Sequence, residues 1–409
     1  MPLTPPRTRK TSTDPLGRYY TFDCASSLLI QQLRNKSPRR ILDLGAGAGS
    51  LTLAARREWR DAQIITVDID SASSRSLAAY SELGNHTHFN CDALKLDLPQ
   101  VIGGADSLSD LAICNPPFSK PNWRKEYFSI LEDAGLSGCY STLRDATAEV
   151  LFLAQNLRLI REKGSIGIIV PDGIVSGSKH KKLREKLIRS HGVESVIKLP
   201  RRVFAGTDAQ AYIITLTKNG VTNDQIELRQ LTASGKWNES IFIDNRKAEL
   251  SFDFSYNAIQ SCEDVLVEKL GDVIISIKRG KVSSNVRKKG KHQAFHVTDF
   301  PTEIGGFSIP KEFQVTAVDS DFQGVLAKEG DIILARVGRN LEAKLCYIVE
   351  GQMEVTDCVY VIRLDEKNRE RVFEALQSEF GRKWFSQVAR GVCARHLPMC
   401  DLLKFPLKL

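Results

Sequence analysis

Strand-like and helix-like segments alternate between Arg40 and about residue 218, and this alternation limits the possible folds more than any other feature of the chain. The segments RILDLG, QIITVDID and SIGIIVPDG are apolar runs of strand length, whereas SLTLAARREW and TAEVLFLAQNLRLIREKG have helical spacing. Strands that alternate with helices form a mostly parallel sheet with helices on both faces. The sequence therefore predicts an α/β domain that binds its ligands at the carboxyl ends of the strands.

The pattern changes near residue 235, where SGKWNES and then FDFSYNAIQSCED interrupt the alternation. Beyond them, the short strands DVIISI, DIILARV and KLCYIVE are separated by glycine-containing loops, and RERVFEALQSEF has helical spacing. This arrangement predicts a second domain of the α+β class. We expect a first domain over 1–240, a linker over 241–260 and the second domain over 261–409.

Composition excludes several classes of protein. A chain of 409 residues with 42% hydrophobic content is long enough for two domains that each bury a core, and it has no apolar run of membrane-spanning length. Its nine cysteines contain no Cys-x-x-Cys pair, and its seven histidines are dispersed. We therefore expect a cytoplasmic protein with no membrane partner and no bound metal.

A glycine-rich turn follows the first strand in DLGAGAG, where Asp43 precedes Gly45, Gly47 and Gly49. Glycines at a strand-to-helix turn let a ligand approach the backbone closely. Asp68 ends the next strand, where a carboxylate can accept from ribose hydroxyls of either a dinucleotide or S-adenosylmethionine. The G-x-G-x-G spacing, and Asp92 further on in NCDALKLD, favour S-adenosylmethionine. A plain structural turn is the alternative for either motif alone.

A buried-strand pattern, LAIC, ends abruptly in Asn115-Pro116-Pro117-Phe118. A turn explains asparagine and proline equally well. Beside a cofactor that donates a methyl group, however, the Asn115 side-chain carbonyl and the Pro116 carbonyl can each accept one N–H of an amino group. Prolines stiffen such a corner and add no competing donor, and Phe118 offers a face for stacking a planar acceptor. The tetrapeptide therefore predicts catalysis at an amine or amide.

These motifs, in this order, resemble those of the N6-adenine DNA methyltransferases of the gamma motif order. The resemblance begins at LGRYYTF, whose Thr21 matches a cofactor-contacting threonine, and continues through GSIGIIVPDG to LPRRVFAGTDAQAYIITL, whose Phe204 matches a residue packed against the target base. It implies a Rossmann-like S-adenosylmethionine-dependent methyltransferase domain with a mixed, mostly parallel seven-stranded sheet. The cofactor-binding residues that it implies are Thr21, Asp43, Gly45, Gly47, Gly49, Asp68, Ile69, Asp92 and Ala93.

The second half is similar to target-recognition domains of type I specificity subunits and of TaqI-type enzymes, in VEKLGDVIISIKRG, GDIILARVGRN and GVCARHLPMCDLLKFPL. The resemblance implies a monomer that methylates N6 of a flipped-out adenine in double-stranded DNA without cleaving it. It also implies a restriction-modification system whose separate endonuclease acts at the same site. The same tetrapeptide occurs in methyltransferases of protein glutamine and of RNA guanine, and a DNA-binding module without turnover is a further alternative.

Basic residues concentrate in KRGKVSSNVRKKGKH, within a chain of net charge +8. This segment is either a solvated loop or a loop that lies along phosphates. The candidate DNA contacts in it are Lys278, Arg279, Lys281, Arg287, Lys288, Lys289 and Lys291. Arg336 and Arg339 of ARVGRN are candidates for contacts with guanine edges. The basic helix KHKKLREKLIR fits a solvated face better than a DNA contact.

Overall fold

The computed structural model describes residues 23–73, 77, 84–104, 108–201, 203–204, 209–261, 268–288, 293–315, 323–391 and 394–407. The chain divides into two compact units, Met1–Asn257 and Ala258–Leu409. Residues 241–250, which we expected in a linker, form a strand and a helix of the first unit. They differ from a linker because Ile243 and Ala248 are buried and anchor this segment to the first unit.

The first unit is built on a sheet of nine described strands in the order β3-β2-β1-β4-β5-β7-β6-β8-β9. The strands are β1 Arg40–Leu44, β2 Gln63–Asp68, β3 His86–Asn90, β4 Ser109–Cys114, β5 Ile160–Pro171, β6 Gly192–Lys198, β7 Ala211–Thr217, β8 Gln225–Gln230 and β9 Ile241–Asp244. β7 and β9 run antiparallel to their neighbours, and the other pairings are parallel. The α/β class with a mixed, mostly parallel sheet is confirmed.

The expected count of seven strands is too low, because β8 and β9 extend the sheet beyond β6. β8 shows the alternating burial of a strand with one covered face, and β9 closes the edge as an antiparallel neighbour. Neither strand has the continuous apolar run of the central strands. In addition, no helix lies among the described residues between β8 and β9, so the alternation of strands and helices does not continue here.

Helices cover the sheet of the first unit. Their bounds are α1 Asp23–Leu33, α2 Ser50–Glu58, α3 Leu98–Val101, α4 Glu126–Asp133, α5 Ala148–Leu159, α6 Asp172–Ser176, α7 Lys181–Ser190, α8 Asn245–Leu250 and α9 Phe254–Ser261, the last crossing the unit boundary. The segment we expected as one amphipathic helix to Gly164 is helical only to Leu159, and residues 160–164 begin β5. Nearly all residues of α5 are buried, so the helix has no polar face whose spacing could show in the sequence where it ends.

The second unit contains a five-stranded sheet in the order β10-β17-β13-β15-β11 and two small two-stranded sheets. Its strands are β10 Ile274–Arg279, β11 Gly305–Ser308, β12 Leu326–Lys328, β13 Ile332–Ala335, β14 Val337–Gly338, β15 Leu345–Glu350, β16 Gln352–Glu354, β17 Val359–Leu364 and β18 Arg395–His396. Its helices are α10 Leu270–Val273, α11 Ser284–Lys288, α12 Glu366–Gln377, α13 Glu379–Val388 and α14 Met399–Leu402.

Each face of this five-stranded sheet has its own core. α12 and α13 contribute Val372, Leu376, Trp384 and Phe385 to one apolar cluster, and Phe295 and Met353 belong to the other. Within the described ranges, no helix is both long and apolar enough to cross a bilayer.

Candidate active site

A cavity of about 740 Å³ lies at the carboxyl ends of β1, β2 and β4. Its volume falls in the usual range for small-molecule sites. Both halves of the predicted site line it. The lining residues that the sequence singled out are Gly45, Gly47, Asp68, Ile69, Asp92, Ala93, Asn115, Pro116, Pro117 and Phe118.

The glycine-rich turn has the backbone shape that we expected. Gly45, Gly47 and Gly49 have φ values of 72°, 54° and 82°, which side chains of L-residues rarely adopt. A Cβ on Gly45 would lie 3.1 Å from the ring of Phe152, whereas a Cβ on Gly47 would meet nothing within 4 Å. The backbone at Gly47 is thus open to the cavity, and that at Gly45 is packed from below.

The end of β2 supplies a carboxylate and an apolar side chain to the cavity wall. Asp68 is nearly buried, and its Oδ2 accepts from the Gly47 N–H at 2.7 Å. Its Oδ1 accepts from the Asp70 N–H at 2.8 Å. Ile69 is 60% exposed, although it is a large apolar residue. A planar ligand could cover that side chain, and the carboxylate oxygens keep lone pairs for hydroxyl donors.

The loop after β3 forms another part of the wall. Asp92 Oδ1 accepts from the Leu94 N–H at 2.8 Å. The backbone of this loop is held from α5, because Gln155 Nε2 donates to the carbonyls of Ala93 and Lys95 at 2.9 and 2.8 Å. Gln155 is fully buried. It fixes the shape of the wall without facing the cavity.

Asp43 lies beneath the glycine turn and is not among the residues that line the cavity. Its side chain is fully buried, and its Oδ2 accepts from the Thr52 hydroxyl at 2.7 Å. Its Oδ1 has no hydrogen-bond partner among the described residues. Burial, together with the nearby Asp68 charge, raises the pKa of Asp43 to about 7 against the lowering effect of Thr52.

The tetrapeptide Asn115–Phe118 follows β4 directly. Asn115 is partly exposed, Pro116 is buried, and Phe118 is half-buried against the core beneath α1. Phe118 contacts Phe204 edge-on, with ring centroids 6.0 Å apart and planes at 82°. Phe204 is 2% exposed and belongs to that core, so it supports Phe118 and does not line the cavity.

A family model described as N-6 DNA Methylase matches residues 8–249, which is more than half of the chain. This chain belongs to the N-6 DNA methylase family. The methylase subunit of the type I restriction enzyme MjaVII from Methanocaldococcus jannaschii is 21% identical over 267 residues, or 61% of this chain. The match covers 45% of that subunit, so the chain spans about half the length of the curated relative.

One solved structure with a similar fold matches most of this chain. The type IIG restriction endonuclease BpuSI matches 94% of this chain and 57% of its own, with a TM-score of 0.52 and 14% identity. The methyltransferase subunit of a type I restriction-modification system from Streptococcus thermophilus matches 62% of this chain and 55% of its own. Its TM-score is 0.45 and its identity 22%.

The family match ends before the second unit of this N-6 DNA methylase, where the structure forms a basic cleft of about 660 Å³. Lys278, Arg279 and Lys281 of the predicted DNA-contacting segment line it, and Lys328 and Arg363 join them from distant parts of the sequence. Arg363 is paired with Asp331 at 2.7 Å. The other four cations are exposed and have no ion-pair partner among the described residues.

One glycine determines how the predicted segment enters this cleft. Gly280 is buried between Arg279 and Lys281, and a Cβ there would lie 2.2 Å from the carbonyl oxygens of Val355 and Thr356. The backbone therefore packs closely at Gly280, while the two flanking cations remain exposed. Together with β10, this contact holds the cations on an ordered edge of the sheet.

Other predicted contacts lie elsewhere or are engaged. Arg287 forms an ion pair with Asp299, in which Nη2 donates to both carboxylate oxygens at 2.9 and 2.8 Å. Arg336 Nε donates to the Asp357 carbonyl at 2.6 Å, whereas Arg339 is exposed. Thr21, Lys289, Lys291 and the side chain of Lys288 lie outside the described residues.

Sequence reasoning missed Gln155 and Arg124. The signal for Gln155 is its position beside Asn156 in the otherwise apolar helix AEVLFLAQNLRL, where a buried amide needs partners. Arg124 lines the cavity and pairs with Asp92 at 2.5 Å. No local pattern marks it, because its partner lies 32 residues earlier.

Proposed function

We propose that this N-6 DNA methylase is a site-specific DNA methyltransferase that transfers a methyl group from S-adenosylmethionine to N6 of an adenine flipped out of double-stranded DNA. The observation that carries the proposal is one cavity lined both by the glycine turn with Asp68 and Asp92 and by Asn115–Phe118. Membership of the N-6 DNA methylase family supports the acceptor. The similarity to a type I methylase subunit supports a role in restriction-modification.

The residues at the glycine end fit the proposed cofactor, which supplies a methyl group on a sulfonium. The backbone at Gly47 is open for a close approach, and its positive φ would be strained in a residue that carries a Cβ. Asp68 is the proposed acceptor for the ribose hydroxyls, and Ile69 exposes an apolar surface that a purine face could cover. Asp92 and Ala93 line the same cavity and are the proposed contacts of the purine edge.

The tetrapeptide holds the acceptor. The lone pair of an exocyclic amine is delocalised into its ring, so acceptors must draw its N–H groups out of that plane. The Asn115 side-chain carbonyl and the Pro116 backbone carbonyl are the proposed acceptors. Phe118, held edge-on by Phe204, is the stacking face for the flipped base. Phe204 therefore acts through Phe118 in this proposal.

The second unit is the proposed target-recognition domain. Its cleft presents four exposed cations that would meet phosphates, and phosphate contacts position a protein on duplex DNA. We propose that Lys278, Arg279 and Lys281 lie along the backbone, and that the exposed Arg339 reaches a base edge. The substrate is then duplex DNA, bound by a monomer, with a separate endonuclease of the same system as the functional partner.

The test is transfer of labelled methyl from S-adenosylmethionine to three acceptors offered separately: unmethylated duplex DNA, RNA and a release-factor protein. Label in DNA alone, recovered as N6-methyladenine at one sequence, is the expected result. Label in protein or RNA would show that this acceptor, and not DNA, is the substrate. No label in any acceptor, despite binding of cofactor and DNA, would favour a binding module. Asn115→Ala is the control for contaminating methyltransferases, since it removes the proposed acceptor carbonyl.

A further inference from the structure

One part of the cavity wall carries an ion pair to which the proposed function assigns no role. Arg124 Nη2 lies 2.5 Å from Asp92 Oδ2. Its Nε and Nη2 also donate to the Tyr127 hydroxyl at 2.9 and 2.6 Å, and its Cζ lies 4.8 Å from the centre of that ring. All three residues line the cavity, and Tyr127 is 3% exposed. Arg124 is thus fixed by a buried ring on one side and holds a carboxylate on the other.

The two contacts of Asp92 define its orientation. One oxygen accepts from the Leu94 N–H at 2.8 Å, and the other accepts from Arg124. The carboxyl plane cannot turn without losing one of these bonds. An ionised carboxylate has about four acceptor positions and no donor, so lone pairs remain for a ligand in the cavity. This wall therefore favours a ligand that presents an N–H donor.

The nearby cation also changes the cost of covering Asp92. A purine that packs over the carboxylate removes water from it, which is unfavourable unless a charged partner stays in place. Arg124 is such a partner, and Tyr127 prevents it from swinging away. A 6-oxo group would bring an acceptor against this fixed anion, whereas a 6-amino group would bring a donor.

We propose that Arg124 makes the cavity selective for a purine with a 6-amino group, because it holds the Asp92 carboxylate in an orientation that accepts from that group. The inference rests on the proposed function, in which the adenine of the cofactor lies at Asp92. Arg124 is a positioning residue that acts through Asp92. It therefore determines purine selectivity, which a purely structural residue would leave unchanged.

The experiment compares two ligands by calorimetric titration of the full chain: S-adenosylhomocysteine and its deaminated counterpart S-inosylhomocysteine. Neither ligand carries a methyl group to transfer, so turnover does not enter. The variants are Arg124→Met, which keeps much of the stem, and Arg124→Lys, which restores the charge. Arg57→Met is the matched control, because Arg57 is an exposed arginine of α2 that does not line the cavity.

The wild-type chain and the control should prefer the amino ligand by roughly 10- to 100-fold, the usual effect of leaving a polar group unpaired. Arg124→Met should lose about tenfold in affinity for the amino ligand and much less for the oxo ligand, so that the ratio falls. Arg124→Lys should recover part of the ratio.

Equal loss for both ligands, or an unchanged ratio, would overturn the selectivity role while leaving the cofactor site intact. Equal wild-type affinity for the two ligands would also overturn it, even if the methionine variant failed to fold. A wild-type chain that binds neither ligand would instead remove the cofactor assignment, and the proposed function with it.

Discussion

The basic cleft of the second unit allows the strongest quantitative test of DNA binding. Lys278, Lys281 and Lys328 line it, are exposed, and lack an ion-pair partner in the part of the chain that the structure describes. Each cation that meets a phosphate releases counterions, so the slope of log K against log salt changes by about 0.9 per contact. Replacing all three lysines by alanine should therefore make the slope shallower by about 2.7.

The assay is fluorescence anisotropy of a labelled duplex, titrated with protein at a series of salt concentrations from about 50 to 200 mM. The matched control replaces Lys311, Lys367 and Lys383, which are exposed lysines of the same unit that do not line the cleft. Its slope should stay near that of the wild type. Equal slopes for the cleft variant and the wild type would contradict phosphate contact in the cleft. An equal change in the control would show that only the total charge matters.

Three further predictions concern the first unit. Asn115→Ala should abolish methyl transfer with little change in cofactor affinity, measured by labelled transfer and by calorimetry; near-normal turnover would remove the acceptor role. Phe118→Ala should weaken binding of a substrate with an extruded base by about 1 to 3 kcal/mol, measured by binding titration, and unchanged affinity would argue against stacking there. For Asp43, the raised pKa means that stability falls as pH rises from 3.8 to about 7, by about 3 kcal/mol between about pH 5 and pH 8. Urea unfolding of Asp43→Asn should lack this component relative to the wild type, whereas the exposed Asp61→Asn should retain it.

The effect of Asp43 must be measured as a difference between Asp43→Asn and the wild type, because other buried groups also change the pH dependence of stability. Burial lowers the pKa of His86, His180 and His191 from 6.5 to about 4, so these histidines add stability as pH rises between about 4 and 6.5. Burial raises the pKa of Glu149 to about 7, which acts in the same direction as Asp43. The total pH dependence is therefore a partial cancellation, and only the difference between variants isolates one carboxyl.

The central part of the fold and of the site was predictable because its signals are local. β1, β2 and β4 are largely apolar and buried, and each leads into a turn whose residues the sequence identified. Parallel pairing then brings the glycine turn, Asp68 and Asn115 to one edge of the sheet. The sequence did not indicate the order of the strands in the sheet, which only the structure shows.

Edge strands and long-range pairings were not predictable in the same way. β3 reads HTHFN, because a strand at the edge needs no continuous apolar run, and its two histidines bond to Thr66. The cleft requires the register that puts Ser276 opposite Arg363, and nothing near either residue indicates that pairing. Arg287 looked free in the sequence because Asp299 lies twelve residues away, beyond a segment of mixed polarity.

In the candidate active site, α5 supports two parts of the cavity wall. Phe152 lies 3.1 Å from the position that a Cβ on Gly45 would occupy, and Gln155, one turn later, holds the Ala93 carbonyl. The same buried helix thus contacts both the glycine turn and the loop that carries Asp92, and it fixes the distance between them. A change in α5 that shifts the helix would alter both walls together, whereas Arg124→Met removes only the contacts of Arg124 with Asp92 and Tyr127. Equal loss of affinity for the amino and oxo ligands is therefore expected when α5 moves. Loss of affinity for the amino ligand alone is expected when only the contact at Asp92 changes.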